Sequence, residues 1–403
     1  MIDRKAKKLG ELYEVHNGLS KGSKFFGSGF PFLSFSTVFN HFFVPDELTD
    51  LVQSTDKERV NYSIHRGDVF VTRTSETSDE LGMSCVALKD YPNATYNGFT
   101  KRMRPITDLV WPEYIGYYMR TPSFRGEFQA FSTMTTRASL KNEDLLSLTV
   151  YLPPIEQQQK IASVLSAYDN LIENNQKQIK LLEEAAQRLY KEWFVDLRFP
   201  GHKTTPIVDG VPEGWRKDNI NSQISLMSGF AFKSSDFDSA GKYRIVTIKN
   251  VKDGEFDPDN TNRIVSIPEK MPSHCILSDG DILLSLTGNV GRVCLTYGND
   301  YLLNQRVAKL QSEIPGFTYC LFRSTNMFDV MKNLANGAAQ QNLSPVRTGE
   351  TVVLYPSDEL MQEFEKIVFP MLQRVVALNK GVQKLKQARD RLLPKLMSGE
   401  IEV

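Results

Sequence analysis

The sequence predicts an α+β fold in which a mixed α/β domain followed by a long helix occurs twice. Three observations carry this. A Gly-Asp turn and the apolar run behind it recur, as Gly67-Asp68-Val69-Phe70 and Gly280-Asp281-Ile282-Leu283, 213 positions apart. Apolar residues seven apart follow each β-rich stretch, and each member of the second set lies 203 positions after its counterpart. Short runs of β-branched and aromatic residues ending in Gly, Asn, Asp or Pro fill the stretches before each helix.

Taken in order, residues 1–153 form the first domain. Its strand signals include Phe30-Pro-Phe-Leu-Ser-Phe35 and Val69-Phe-Val-Thr-Arg-Thr74, and a helical stretch is expected near 112–130. Residues 154–200 form the first helical segment. Ile161, Tyr168, Asn175, Leu182 and Leu189 repeat every seven, flanked by Val164, Leu165, Leu171, Ile172 and Ile179. A helix over about 155–194 would be ~60 Å long at ~1.5 Å per residue. Asn175 falls on the apolar stripe, where one polar residue can fix register. Arg198-Phe-Pro-Gly-His-Lys203 has the punctuation of a boundary. Residues 201–356 form the second domain, with strand signals at Tyr243-Arg-Ile-Val-Thr-Ile-Lys249 and Gly291-Arg-Val-Cys-Leu-Thr-Tyr297 and a helix near 315–334. Residues 357–403 carry the second heptad series, Phe364, Met371, Leu378, Leu385 and Leu392. Pro370 lies inside this pattern and is expected to kink or interrupt it, and Gly381 to weaken it. Two such heptad series form a coiled-coil pair.

Composition bounds the function. A chain of 403 residues holds two to three domains at ~150 residues each. Hydrophobic residues at 41% and charged residues at 24% are an ordinary globular balance, which excludes a disordered or fibrous protein. Forty-eight basic and 48 acidic residues cancel, so no strongly basic surface is visible at this level. No apolar run approaches the ~20 residues of a membrane span. Met1-Ile-Asp-Arg-Lys-Ala-Lys-Lys8 leads into no apolar core, so a cytoplasmic protein with no membrane partner is expected. Cys85, Cys275, Cys294 and Cys320 stand singly and read as core thiols, not as a disulfide or zinc framework. The five histidines are scattered, so no metal site is expected. The chain contains no GxxxxGK[ST], GxGxxG or HExxH, nor an Asn-Pro-Pro-Tyr-like base-methylation motif. It is therefore read as having no catalytic residues and no cofactor of its own.

Several segments resemble a known family. Leu152-Pro-Pro-Ile-Glu-Gln-Gln-Gln-Lys-Ile161 and Asp169-Asn-Leu-Ile-Glu-Asn174 are similar to the central conserved region of the specificity subunit of Type I restriction–modification systems. So are Leu189-Tyr-Lys-Glu-Trp-Phe194, Val211-Pro-Glu-Gly-Trp215 and Gly229-Phe-Ala-Phe-Lys-Ser234. The ending Arg391-Leu-Leu-Pro-Lys-Leu-Met-Ser-Gly-Glu-Ile401 matches as well. The resemblance covers essentially the whole chain. It implies that each mixed domain is a target recognition domain reading one half of a split, asymmetric site in double-stranded DNA. It implies that the two helices pack antiparallel as a spacer, with a pseudo-twofold axis relating the domains. Two methyltransferase subunits would bring S-adenosylmethionine, and restriction–motor subunits ATP and Mg. The first domain departs from the pattern, with Asn17-Gly-Leu-Ser-Lys21 where the second has Gly229-Phe-Ala-Phe-Lys.

Basic and acidic residues balance in each domain, 18 of each in 1–150 and 16 of each in 201–356, so DNA contact must come from local clusters. In the first domain the candidates are Lys21, Lys24, Arg73, Asn97, Lys101, Arg102, Arg104 and Arg137. In the second they are Lys233, Arg292, Asn304, Gln305, Arg306, Lys309, Gln340 and Gln341. Arg and Lys suit guanine edges and phosphates, Asn and Gln adenine edges. Two other readings are open at this stage. One is a non-catalytic adaptor carrying two ligand-binding modules on a coiled-coil spacer, which the neutral charge suits. The other is a restriction enzyme with its own catalysis, which the missing motifs oppose.

Overall fold

The computed structural model describes residues 4–75, 81–131, 138–259, 261–335 and 341–403. The chain forms two compact units, one of residues 1–170 and 385–403, the other of residues 171–384. The division falls within the long helices, whereas the sequence suggests boundaries after 153, 200 and 356.

The first unit is built on strands β1 (Tyr13–Asn17), β2 (Phe26–Leu33), β3 (Leu51–Val52), β4 (Val69–Thr72), β5 (Ser84–Val86), β6 (Thr95–Tyr96) and β7 (Thr100–Pro105). An antiparallel sheet has the order β1-β7-β4-β5, and a second sheet the order β3-β2-β6 with β2 parallel to β6. β4 is buried on both faces. Val69 and Val71 join the core under helices α1 (Pro112–Tyr118) and α2 (Pro122–Phe131), while Phe70 enters a second cluster with Cys85 and Tyr96. Alternation of side chains along a strand explains this partition.

Helix α3 (Ile155–Tyr190) leaves this unit after Asn170 and continues into the second. The second unit contains β8 (Ser225–Ser228), β9 (Tyr243–Val246), β10 (Asn262–Ile264), β11 (Ile282–Ser285), β12 (Val293–Leu295), β13 (Tyr301–Leu303) and β14 (Val307–Gln311). Its sheets run β8-β14-β11-β12 and β10-β9-β13, with β9 parallel to β13. Each strand number is seven more than its counterpart in the first unit. The sequence repeat is thus a repeat of topology and of pairing. Val69 faces Met103 as Ile282 faces Leu310. Helices α4 (Pro315–Arg323) and α5 (Thr325–Leu334) correspond to α1 and α2.

Helix α6 (Asp358–Ser398) runs unbroken through Pro370 and Gly381, which corrects the expected interruption. Pro370 is on the exposed face, while Phe364, Val368, Leu372, Val375, Leu378 and Val382 are buried on the other. The hydrogen bond lost at proline costs about 3 kcal/mol. Each buried aliphatic or aromatic side chain returns about 1.5–3 kcal/mol, so packing prevails. In the first unit Ile161, Ala162 and Leu165 share a core with Leu393, Leu396 and Met397. In the second, Tyr190 meets Phe364 with ring centroids 6.3 Å apart, and a Cβ on Gly381 would lie 3.5 Å from Asn175 Nδ2. Pairing 190 with 364 and 175 with 381 makes the helices antiparallel there.

The deepest seam is the neighbouring apolar row, four residues along from the series read in the sequence. Leu165, Ile172 and Ala186 are buried on α3, as are Met361, Val368, Val375 and Val382 on α6. Of the series read from the sequence, Ile161, Phe364 and Leu378 are buried, while Tyr168, Asn175, Leu182, Leu189, Met371, Leu385 and Leu392 are half-buried. Polar clamps fix the helices to each domain. Tyr117 Oη donates to Asp169 Oδ2 at 2.5 Å, and Asp169 also pairs with Arg389 in the first unit. Tyr319 Oη donates to Glu183 Oε1 at 2.6 Å, and Glu183 pairs with Arg323 at 3.2 Å in the second. All four cysteines are buried and free, and burial pushes the Cys85 thiol up to about 12. Among the described residues, no helix is long and apolar enough to cross a membrane.

Candidate nucleic-acid interface

The Gly-Asp motif closes a turn and anchors a cation. Gly67 has φ +90° and Gly280 φ +85°, a region that L side chains rarely enter. Asp68 Oδ2 accepts the His65 N–H at 2.7 Å, and Asp281 Oδ2 accepts the Ser278 N–H at 2.8 Å. The same carboxylates hold a cation from the neighbouring strand. Arg104 donates from Nε to Asp68 Oδ1 at 2.8 Å and from its terminal nitrogen to Oδ2 at 2.7 Å. Lys309 Nζ lies 2.8 Å from Asp281 Oδ1. The hydrogen bond that Arg104 donates to Asp68 raises the Arg104 pKa. Arg102, 3% exposed, donates to the Ser63 carbonyl at 2.8 Å. The sequence reads Lys101, Arg102 and Arg104 as one cluster, and the structure divides it. Strand alternation sends Arg102 and Arg104 to one face, where they bind the fold itself, and Lys101 to the other.

Beyond the turn, both units present the same short loop. Asn97 Oδ1 accepts the Phe99 N–H at 2.7 Å, and Asn304 Oδ1 accepts the Arg306 N–H at 3.3 Å. Thr100 N–H donates to the Asn97 carbonyl at 3.0 Å, and Val307 N–H to the Asn304 carbonyl at 2.9 Å. Each loop is braced by a glycine. A Cβ on Gly18 would fall 2.0 Å from the Asn97 carbonyl oxygen, and one on Gly229 2.4 Å from that of Asn304. Gly18 and Gly229 are therefore structural equivalents. The Asn17-Gly-Leu-Ser form thus performs the same backbone task as Gly229-Phe-Ala-Phe, and only the side chains differ.

The loop of the second unit borders an open cleft, and the first unit has a counterpart cleft. In the first, of about 550 Å³, the walls include Asn17, Arg73, Lys101, Leu140 and Asn142. In the second, of about 630 Å³, they include Ser228, Leu286, Thr287, Gln305, Arg306 and Leu343. The frames superpose in their hydrogen bonds. Leu140 N–H donates to the Arg73 carbonyl at 2.9 Å, and Leu343 N–H to the Leu286 carbonyl at 2.8 Å. Lys101 is 5% exposed, bonded through Nζ to Asn142 Oδ1 and, at 3.4 Å, to Asn17 Oδ1. Burial, and secondarily Arg73, lowers its pKa. Its register equivalent in the second unit is Ala308. Each cleft holds one buried polar atom that has no partner among the described residues, Arg73 Nε in the first and Thr287 Oγ1 in the second. Such atoms are costly to leave unbonded, and water, an ion or a bound ligand can supply the missing partner.

The structure gathers Arg73, Lys101, Gln305 and Arg306 at these clefts, with Asn97 and Asn304 shaping the loops. Gln341 is exposed beside Asn342 at the second cleft. Lys21 lies elsewhere, paired with Glu58 at 2.8 Å and bonded to the Gln53 carbonyl at 2.8 Å. Lys24 is exposed over the Phe25 ring, Lys233 is exposed, and Arg292 is half-buried. Arg137 and Gln340 lie outside the described residues. Sequence reasoning did not count Asn17, Phe99 and Asn142 as site residues. The signal for them was present, since carrying the offsets of the repeat through each strand aligns them with Ser228, Arg306 and Pro345. Among the described residues, no group of His, Cys, Asp or Glu is placed to hold a metal ion.

Comparison with known proteins agrees with this geometry. Residues 1–184 match the family model described as Type I restriction modification DNA specificity domain. The chain is 25% identical to the Type I restriction enzyme MjaIX specificity subunit of Methanocaldococcus jannaschii, over 100% of this chain and 94% of the relative. It is 21% identical to the HindI specificity subunit of Haemophilus influenzae, over 92% of this chain and 94% of the relative. Its fold is that of the crystal structure of a Type I restriction–modification system S subunit from M. genitalium, with a TM-score of 0.60 at 16% identity, covering 98% and 96% of the two chains. Two mixed α/β domains, two long packed helices and these full-length similarities liken the chain to the specificity subunits of Type I restriction–modification systems, a non-catalytic family.

Proposed function

We propose that this chain, as a specificity subunit, reads a bipartite, asymmetric target in double-stranded DNA, one half-site per unit, through the two clefts. One observation carries the proposal. The same cleft is built twice on one backbone plan and lined with different side chains. A common frame gives a common mode of docking, and different linings give different half-sites. Arg73 and Lys101 in one cleft and Gln305 and Arg306 in the other supply the donors that guanine edges, adenine edges and phosphates accept. Because each domain is neutral overall, attraction depends on these local groups, and few phosphates are neutralised. Each phosphate contact adds about 0.9 to the slope of log affinity against log salt, so a shallow slope is expected.

The helix pair sets the gap between the half-sites and, with the domains, docks two methyltransferase subunits and the restriction–motor subunits. S-adenosylmethionine, ATP and Mg enter through those partners, and the complex works in the cytoplasm on host and foreign DNA. The test is methylome sequencing of cells expressing the full chain with a methyltransferase partner subunit. A single bipartite motif with two unlike halves and a fixed gap is expected. Absence of any chain-dependent motif, with no sequence-selective retention of DNA by the purified complex, would leave the adaptor reading in its place.

A further inference from the structure

The two units carry the same pair of side-chain characters in exchanged places. In the first unit Arg73 N–H donates to the Phe99 carbonyl at 3.0 Å, and in the second Leu286 N–H donates to the Arg306 carbonyl at 3.0 Å. Positions 73 and 286 are therefore equivalent, as are 99 and 306. At the wall position the first unit has a guanidinium and the second an apolar side chain. At the loop tip the order is reversed.

The tips are poised for contact. Phe99 is 60% exposed, an unusual place for a phenyl ring on a rigid loop held at both ends by backbone hydrogen bonds. Arg306 is also exposed and enters no ion pair among the described residues. Behind them, Leu286 is 4% exposed and Arg73 is half-buried with Nε unpartnered. An arginine at a rigid tip offers a fork matched to guanine O6 and N7, and an exposed ring offers an apolar face for a thymine methyl group or a base step.

We propose that positions 73 and 99, and equivalently 286 and 306, are the specificity-determining pair of each unit, with base identity set by which position carries the arginine. This rests on the reading of the clefts as DNA-binding. It goes beyond that reading by assigning recognition chemistry to two positions, one of them the apolar Phe99. The second half-site is read at the tip by Arg306 as a guanine. The first is met at the tip by the Phe99 ring, with the Arg73 guanidinium recessed.

Two single variants of the full chain, Phe99→Arg and Arg306→Phe, test this with the methyltransferase partner and a randomised double-stranded DNA library, methylated sequences being read out. Phe99→Arg is expected to change preference by about tenfold or more at one or two positions of one half-site, toward guanine. Arg306→Phe is expected to lose a guanine preference in the other half-site. Each variant should leave the opposite half-site as it was. An unchanged motif overturns the proposal. So does an equal loss on all sequences, which marks a phosphate contact. A fall in melting temperature of more than about 4 °C overturns it too, since the side chain would then be structural. If the unaltered chain directs no sequence-selective methylation, the DNA-binding reading itself fails, a result distinct from all three.

Discussion

Asp68 shows how one buried carboxylate organises a domain. It is fully buried, accepts an amide N–H and holds the Arg104 fork. Asp68→Ala leaves the His65 amide without its acceptor and the half-buried Arg104 guanidinium with the Ser63 carbonyl alone. The expected loss is about 3 kcal/mol, read as a lower urea midpoint of the first unit's transition. Asp281→Ala should cost less, about 1–2 kcal/mol, because Lys309 makes a single contact where Arg104 makes two. An unchanged midpoint in Asp68→Ala would show that the pair contributes nothing. The motif was legible in sequence as a turn, but its cationic partner was not. That partner comes from a strand 36 residues away, and register does not select it uniquely. Lys309 corresponds to Arg102, yet Asp68 takes Arg104.

At the level of elements, the loops 97–99 and 304–306 depend on a glycine passing close behind them. Gly18→Ala drives a methyl group into the Asn97 carbonyl, where neither backbone can yield cheaply. The expected cost is about 1–3 kcal/mol, with the first half-site weakened and the second unaffected, and Gly229→Ala should do the converse. Melting and methylation motifs of the two variants check this together, and a motif weakened in both halves by either variant would count against it. The glycine was not identified from its neighbours in sequence, since its equivalent is followed by Phe230-Ala-Phe and it by Leu19-Ser-Lys. Pairing of Leu19 with Asn97 and of Phe230 with Asn304 identifies it. Helices were read more completely than strands. Their heptads fixed both long elements, while Pro370 misled because propensity was weighed without the packed face opposite. A heptad series also leaves open which of two adjacent rows lies deepest, and only the partner helix decides that.

For the whole molecule, the repeat was the most legible feature, because offsets of 203 to 213 survive when few residues are identical. What the offsets did not reveal was the clefts, which form where four segments distant in sequence converge. The helix pair supplies a further test. Asn175 on α3 lies opposite Gly381 on α6. Four residues inserted near Lys177 lengthen α3 by ~6 Å at ~1.5 Å per residue. With ~3.4 Å per base pair, the gap between half-sites should grow by one or two base pairs, with both half-site sequences retained. Each added base pair also turns the half-site by about 34–36°, so some activity should be lost. An unchanged gap at full activity would mean that the helices do not set the spacing.

The claim that each unit reads its own half-site is tested most directly by exchange. Residues 1–153 are replaced by the corresponding domain of another family member of different specificity, and the methylome of cells carrying the hybrid with its methyltransferase is sequenced. One half of the motif should become that of the donor, while the half read by residues 201–356 and the order of the two halves stay as they were. A motif altered in both halves, or in neither, would contradict independent reading by the two units.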